Sequence, residues 1–353
     1  MKLKIIFILI LVFILSSCIK QPIKVEDTNF NDLTNSQKEL LIRLIATGYN
    51  RGGGYSFENL KKLANENGDD YDDNVLYNYK YFIGKINTPP TKVISVKSLV
   101  SDDDRIKEYV NNIINRFSDN SNKNFFIDAF DSKIPTNPIK NDRDFEFLNP
   151  NTIKSYEKRD FLVNKVYNLI KRDYSNNYLF KYWYDKFFKD ITFNDDNILF
   201  YSKFLVDIAY AYTNSDIELK RLQYTGSELY PEVIKLNHIP VELILAIMYQ
   251  ESKFFPGSFR AEISNGNIYA LSFGLTHVLI DADFLYISNT DETIGDGDKG
   301  ERSFDLISYF YLGNNRNEET YFSDWDLITI RGSILYSAIY LDMLYQKLIK
   351  YIK

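Results

Sequence analysis

The chain has one cysteine, Cys18, so no disulfide can form within it, and two histidines, His238 and His277. Neither histidine has a neighbour at metal-ligand spacing, so the sequence implies no metal site and no cofactor. A basic block is also lacking: Asp and Glu outnumber Lys and Arg by 48 to 42, giving a net charge of −6. Such a chain is poorly suited to nucleic acid and gains nothing by charge from anionic lipid, so a neutral or zwitterionic polymer is the easier partner. The glycine run "RGGGYS" (51–56) has no Gly-Lys-Ser/Thr and reads as a flexible turn. No serine or cysteine stands in a recognisable triad context. A hydrophobic content of 45% over 353 residues is enough to bury a sizeable core and suggests two domains. The excess of Tyr and Phe accompanies an excess of Ile, Asn and Lys, as in AT-rich coding sequences, so aromatic counts are no evidence for ligand stacking.

The N-terminal stretch "MKLKIIFILILVFILSSC" places Lys2 and Lys4 before an apolar run from Ile5 to Leu15 that is short for a membrane span. Leu15-Ser16-Ser17-Cys18 resembles the lipobox of bacterial lipoproteins. That resemblance implies cleavage after residue 17 and a lipidated Cys18 anchoring an exported protein to an envelope membrane, on its periplasmic face. Several acyl chains hold a protein on a bilayer far more firmly than one. Losing residues 1–17 removes two lysines and no acid, which makes the chain more acidic still.

Residues 18–30 are polar and aperiodic, as a tether should be. In "LTNSQKELLIRLIATGYN", Thr34 or Asn35 can cap a helix whose Leu40, Leu41, Leu44 and Ile45 share a face. The acidic, Asn-rich "NENGDDYDDN" and "SDDDR" read as loops, and "INTPPTKVISVKSLV" as a short extended segment. Between about Thr152 and Leu222, apolar residues recur every three or four positions in successive segments, which predicts stacked helices. The expected architecture is mainly α: an α-helical region over 31–222, then a second domain over 223–353.

In "HIPVELILAIMYQESKFFPGS", Pro240 suits a first helical turn, and Leu243, Ile244, Ile247 and Glu251 fall on one face. Glu251 therefore stands on an apolar stripe near a helix C-terminus. Burial and the negative end of the helix dipole both favour its protonated form, which a general acid requires. The same residues also allow a partly exposed glutamate at a frayed helix end, paired with Lys253.

Three blocks between Tyr230 and Leu344 resemble the soluble lytic transglycosylases, lysozyme-like enzymes that cleave bacterial peptidoglycan. "PVELILAIMYQESKFFPGS" is similar to the family's apolar helix ending in Glu-Ser, with Glu251 matching the acid/base and Ser252 its orienting neighbour. "ALSFGLTHV" (270–278) is similar to the Gly-Leu-Met-Gln element of the glycan cleft: Gly274 and Leu275 match, Ser272 is a polar contact, and Thr276-His277 replace Met-Gln. "SILYSAIYLDML" (333–344) is similar to the family's later helix through Ile334, Ser337, Tyr340 and Leu341. Two stretches, "RAEISNGNIY" and "DADFLYISNTDETIGDGDKGERSFD", read as insertions that add at most a small sheet or an irregular flap. The family's Ala-Tyr-Asn motif, which sets a tyrosine near the acid, has no counterpart after the third block, and "AYTN" (211–214) reads as scaffold helix.

The resemblance implies a lysozyme-like domain over 223–353 whose partner is the peptidoglycan glycan strand. Glu251 would protonate the bond between N-acetylmuramic acid and N-acetylglucosamine. It would then deprotonate the C6 hydroxyl, which closes onto C1 as a 1,6-anhydro end. Ser252, Ser272, Gly274, Leu275, His277 and Tyr340 would bind substrate. No second carboxylate is needed, unlike in most glycoside hydrolases. Asp281 and Asp283 read as solvated loop residues, and "DGDKGE" (296–301) as a solvated acidic turn because calcium-loop positions fall out of register. The alternative is a non-catalytic lipoprotein that binds peptidoglycan and positions other wall enzymes.

Overall fold

The computed structural model describes residues 29–52, 54–65, 70–91, 157–187, 193–214, 218–220, 233–264, 267–280 and 330–352. Residues 1–28, with the expected signal segment, Cys18 and most of the expected tether, lie outside those residues, as do "SDDDR" and the stretch with Asp281, Asp283 and "DGDKGE".

Thr34 starts helix α1 (Asn35–Arg51) with a reciprocal capping box. Gln37 N–H donates to Thr34 Oγ1 at 3.3 Å, and Thr34 N–H to Gln37 Oε1 at 2.9 Å. Gly52, at φ 106°, ends the helix in a conformation that side chains avoid. Leu41, Leu44 and Ile45 are buried, whereas Leu40, at the edge of that stripe, is 37% exposed. Ser56 caps the short α2 (Phe57–Leu63).

Helix α3 (Tyr71–Phe82) begins inside the acidic stretch that composition assigns to a loop. Asp72 and Asp73 suit the positive end of the helix dipole, and Arg43 of α1 pairs with both, reaching Asp72 at 2.7 Å. The segment after α3 has no regular structure from Ile86 to Thr91, where an extended run was expected; its remainder lies outside the described residues.

The middle of the chain forms α4 (Arg159–Asn176), α5 (Tyr178–Phe187) and α6 (Asp195–Ala211), as the periodicity predicts. Arg159 clamps α4 to α6 with two bonds to Asp207, at 2.7 and 2.6 Å. Past Ala211 the helical expectation fails: β1 (Glu218–Lys220) pairs antiparallel with β2 (Val233–Lys235).

Helix α7 (Val241–Ser252) is capped by Pro240, which sits one place before the expected first turn. Every residue from Val241 to Tyr249 is buried. A helix buried on every face belongs in the centre of a fold, and α3, α6 and α8 (Ile330–Ile349) pack against it, with α1 against α3 and α8. One hydrophobic cluster runs through all these helices, so segments on both sides of residue 222 share a core.

The first insertion is a hairpin. β3 (Phe259–Ser264), β4 (Asn267–Phe273) and β5 (Val278–Ile280) form an antiparallel sheet in chain order, with a register shift between Glu262 and Ile263. The chain is thus mainly α-helical, with two small sheets among the described residues. No helix among those residues is long and apolar enough to cross a membrane.

Candidate functional site

Glu251 stands in the last turn of α7 with its side chain 13% exposed. Both carboxylate oxygens are engaged. The Tyr71 hydroxyl, from the first turn of α3, donates to Oε1, and Nδ1 of His277 lies 3.1 Å from Oε2. Lys253, the partner expected of a frayed helix end, does not pair with it; the contacts come from elements 180 and 26 residues away. The tyrosine on the acid is therefore Tyr71. Tyr212, in "AYTN", is the fully buried C-cap of α6.

His277 ends the turn 274–277 in a left-handed conformation, φ 52°, which histidine tolerates better than most residues. Gly274 opens the turn at φ 90° and donates its N–H to the Ser258 carbonyl at 2.8 Å. Between them Thr276 is pinned from two helices. Its Oγ1 donates to the Ser333 carbonyl of α8 at 2.8 Å, its N–H donates to Ser333 Oγ at 3.1 Å, and its carbonyl accepts from the Tyr49 hydroxyl of α1 at 2.9 Å. Burial, with the charge of Glu251 adding to it, pushes the Tyr49 phenol well above its ordinary pKa, so it remains a neutral donor. Helices α1 and α8 thereby fix where His277 meets Glu251.

The segment after Glu251, Ser252 to Ser258, is buried throughout. Lys253 and Phe254 both have positive φ, 53° and 65°, and two successive non-glycine residues there cost on the order of 1–3 kcal/mol each. Two buried tyrosines hold this geometry: Tyr184 of α5 and Tyr201 of α6 both donate to the Phe254 carbonyl, at 2.7 and 2.8 Å. The strain falls directly beside Glu251, and the scaffold helices sustain it.

Ser258 completes a chain that sequence reasoning missed. Its Oγ lies 2.8 Å from Nε2 of His277, whose Nδ1 meets Glu251. The connectivity is that of a Ser-His-Glu hydrolase triad, but the exposure is inverted: Ser258 is fully buried, and the carboxylate is the end with residual access. A nucleophile must reach substrate, so Ser258 acts here by fixing the imidazole that faces Glu251. Only the seven-residue separation of Ser258 from Glu251 hinted at this, and serines at that distance are common.

The remaining expected site residues divide by access. Ser272 is half-buried on β4, opposite Arg260 of β3. Ser252 is fully buried and spends its hydroxyl on the Met248 carbonyl at 2.9 Å, so it orients nothing at Glu251. Leu275 is fully buried, and Tyr340 is 2% exposed, donating to the Gly48 carbonyl at 3.2 Å and packing on Tyr49. Side chains closed off in this way support the site from beneath and are not surfaces for a glycan. Gly274 contributes its turn, and His277 is the one expected binding residue in contact with Glu251. His238 pairs with Asp342 at 2.6 Å and stacks on Tyr345, away from this cluster. No family model, no curated protein and no solved structure matches the chain.

Proposed function

We propose that the protein is a lytic transglycosylase that cleaves the glycan strands of peptidoglycan to 1,6-anhydromuramyl ends, with Glu251 as its single general acid and base. On this reading residues 223–353 contribute the lysozyme-like part. The lipidated Cys18 holds the protein at the periplasmic face of an envelope membrane. The observation that carries the proposal is one mostly buried carboxylate, in the first of the three sequence blocks that resemble the family, gripped at both oxygens by His277 of the second block and by Tyr71 from outside them.

As a carboxylate, Glu251 accepts from Tyr71 and His277. As a carboxylic acid it can donate from one oxygen only, so one of these contacts opens or reverses when the proton is in place. Substrate then receives that proton at the glycosidic oxygen. The regenerated carboxylate takes the C6 hydroxyl proton as the ring closes onto C1, while the muramyl N-acetyl group supports the anomeric centre. Ser258 and Tyr71 hold the geometry, because general acid–base catalysis needs the carboxylate within hydrogen-bond reach of both oxygens in turn.

Purified sacculi incubated with the protein are expected to release muropeptides with anhydro ends, identified by mass spectrometry. Sacculi that are bound but yield no such ends support the non-catalytic peptidoglycan-binding reading instead. Tyr71→Phe is expected to lower kcat roughly ten- to a hundredfold with KM nearly unchanged, the effect of losing one hydrogen bond to a charged group. An unaltered kcat removes Tyr71 from the mechanism.

A further inference from the structure

A second polar feature lies along the same helix pair. Tyr71 meets Glu251 and Asn78 reaches the Ala246 carbonyl, so α3 and α7 run antiparallel. Between them opens a cavity of about 320 Å³, lined among others by Asn74 and Asn78 of α3 and by Tyr249, Gln250 and Lys253 of α7 and its cap. Asn74 and Asn78 are three and seven residues beyond Tyr71, which puts the cavity roughly 5–10 Å along α3 from the Tyr71–Glu251 contact.

Lys253 is the unusual member. It is 6% exposed, and among the described residues its ammonium meets no carboxylate at ion-pair distance, only the face of Tyr249 at 5.9 Å. Asp173, the acid whose charge acts on it, is taken up by Arg172 at 2.7 Å and by the Tyr249 hydroxyl at 3.0 Å. Burial pushes the lysine below its ordinary pKa, with Asp173 offsetting part of that shift. A buried ammonium is costly unless an anion meets it.

We infer that this cavity is an anion subsite that takes a carboxylate group of the bound ligand, with Lys253 as its cation and the amides of Asn74, Asn78 and Gln250 as neutral donors. One cation suits a monoanion. A phosphate dianion fits poorly beside Asp73, which lines the same cavity and is already paired with Arg43. That the carboxylate is borne by a peptide-substituted glycan rests on the lytic reading; the anion subsite itself does not.

The test uses the whole protein and three probes: a muramyl dipeptide with its free carboxyl, the same compound as its amide, and a neutral N-acetylglucosamine tetramer. Calorimetry is expected to show the acid binding roughly ten- to a hundredfold more tightly than the amide, the range for one hydrogen bond to a charged group. Lys253→Met should erase that preference and leave tetramer binding unchanged. The variant should also melt at a higher temperature, because it removes an unpaired buried charge; a merely structural lysine would show the opposite. Equal binding of acid and amide by the unaltered protein, no binding of either, or a preference that survives Lys253→Met each overturns the subsite. Sacculi cleaved without an acid preference refute the subsite alone. A Lys253-dependent preference in a protein that leaves sacculi intact refutes the lytic reading alone.

Discussion

Glu251→Gln is expected to stop the release of anhydromuramyl ends from sacculi, with the rate falling by about 10²–10⁴, the usual range for losing a positioned acid–base group. The substitution conserves volume in a site that is 13% exposed and lets the amide oxygen still accept a hydrogen bond, so the melting temperature should change little. What disappears is the capacity to hold and return a proton. Glutamine can neither protonate the leaving oxygen nor take the C6 hydroxyl proton. If the variant releases anhydro ends at the rate of the unaltered protein, Glu251 has no role in the reaction. Loss of binding to sacculi together with loss of product would instead make Glu251 a contact residue, so binding must be measured alongside the chemistry.

The site was partly legible because some of its signals are local. The run from Val241 to Glu251 carries its burial in its own composition, and the structure sets that helix at the centre of the core. Thr34 with Gln37 is a capping pattern readable over four residues, and the same two side chains form it. Gly274 and His277 stood out in a short motif, and both take the positive φ that defines their turn. The contacts that Glu251 makes with distant residues were not legible. Tyr71 lies 180 residues away in a stretch whose Asp and Asn content reads as loop, because composition does not reveal that Arg43 will pair with Asp72 and Asp73. For Ser252 the limit is related: sequence adjacency to Glu251 does not give adjacency of side chains on a helix, and its hydroxyl turns back to Met248. Leu275 and Tyr340 matched family positions, yet apolar and aromatic residues at helical or turn positions most often end up as core, as these do.

Residues 223–353 expressed alone are expected to show no cooperative thermal transition, although the resemblance to a lysozyme-like domain is confined to that segment. The central helix α7 has Leu243, Ile244, Leu245, Ile247 and Met248 fully buried, and α3 and α6, which pack against it, precede residue 222. Returning even these five side chains to water costs roughly 10 kcal/mol at 1.5–3 kcal/mol each, which is comparable to the 5–15 kcal/mol that stabilises a typical domain. Helix α8 likewise loses α1, and Gly48 of α1 lies so close to Leu344 that an added Cβ would sit 2.9 Å from its Cδ2. The damage reaches the site directly. The Phe254 carbonyl loses both tyrosine donors, Thr276 loses Tyr49, and Glu251 loses Tyr71. Refolding the fragment together with residues 31–222 should restore a single transition and whatever activity the whole chain has. A sharp transition in 223–353 alone, near the melting temperature of the whole chain, would mean that the N-terminal helices are an attachment and not half of the core.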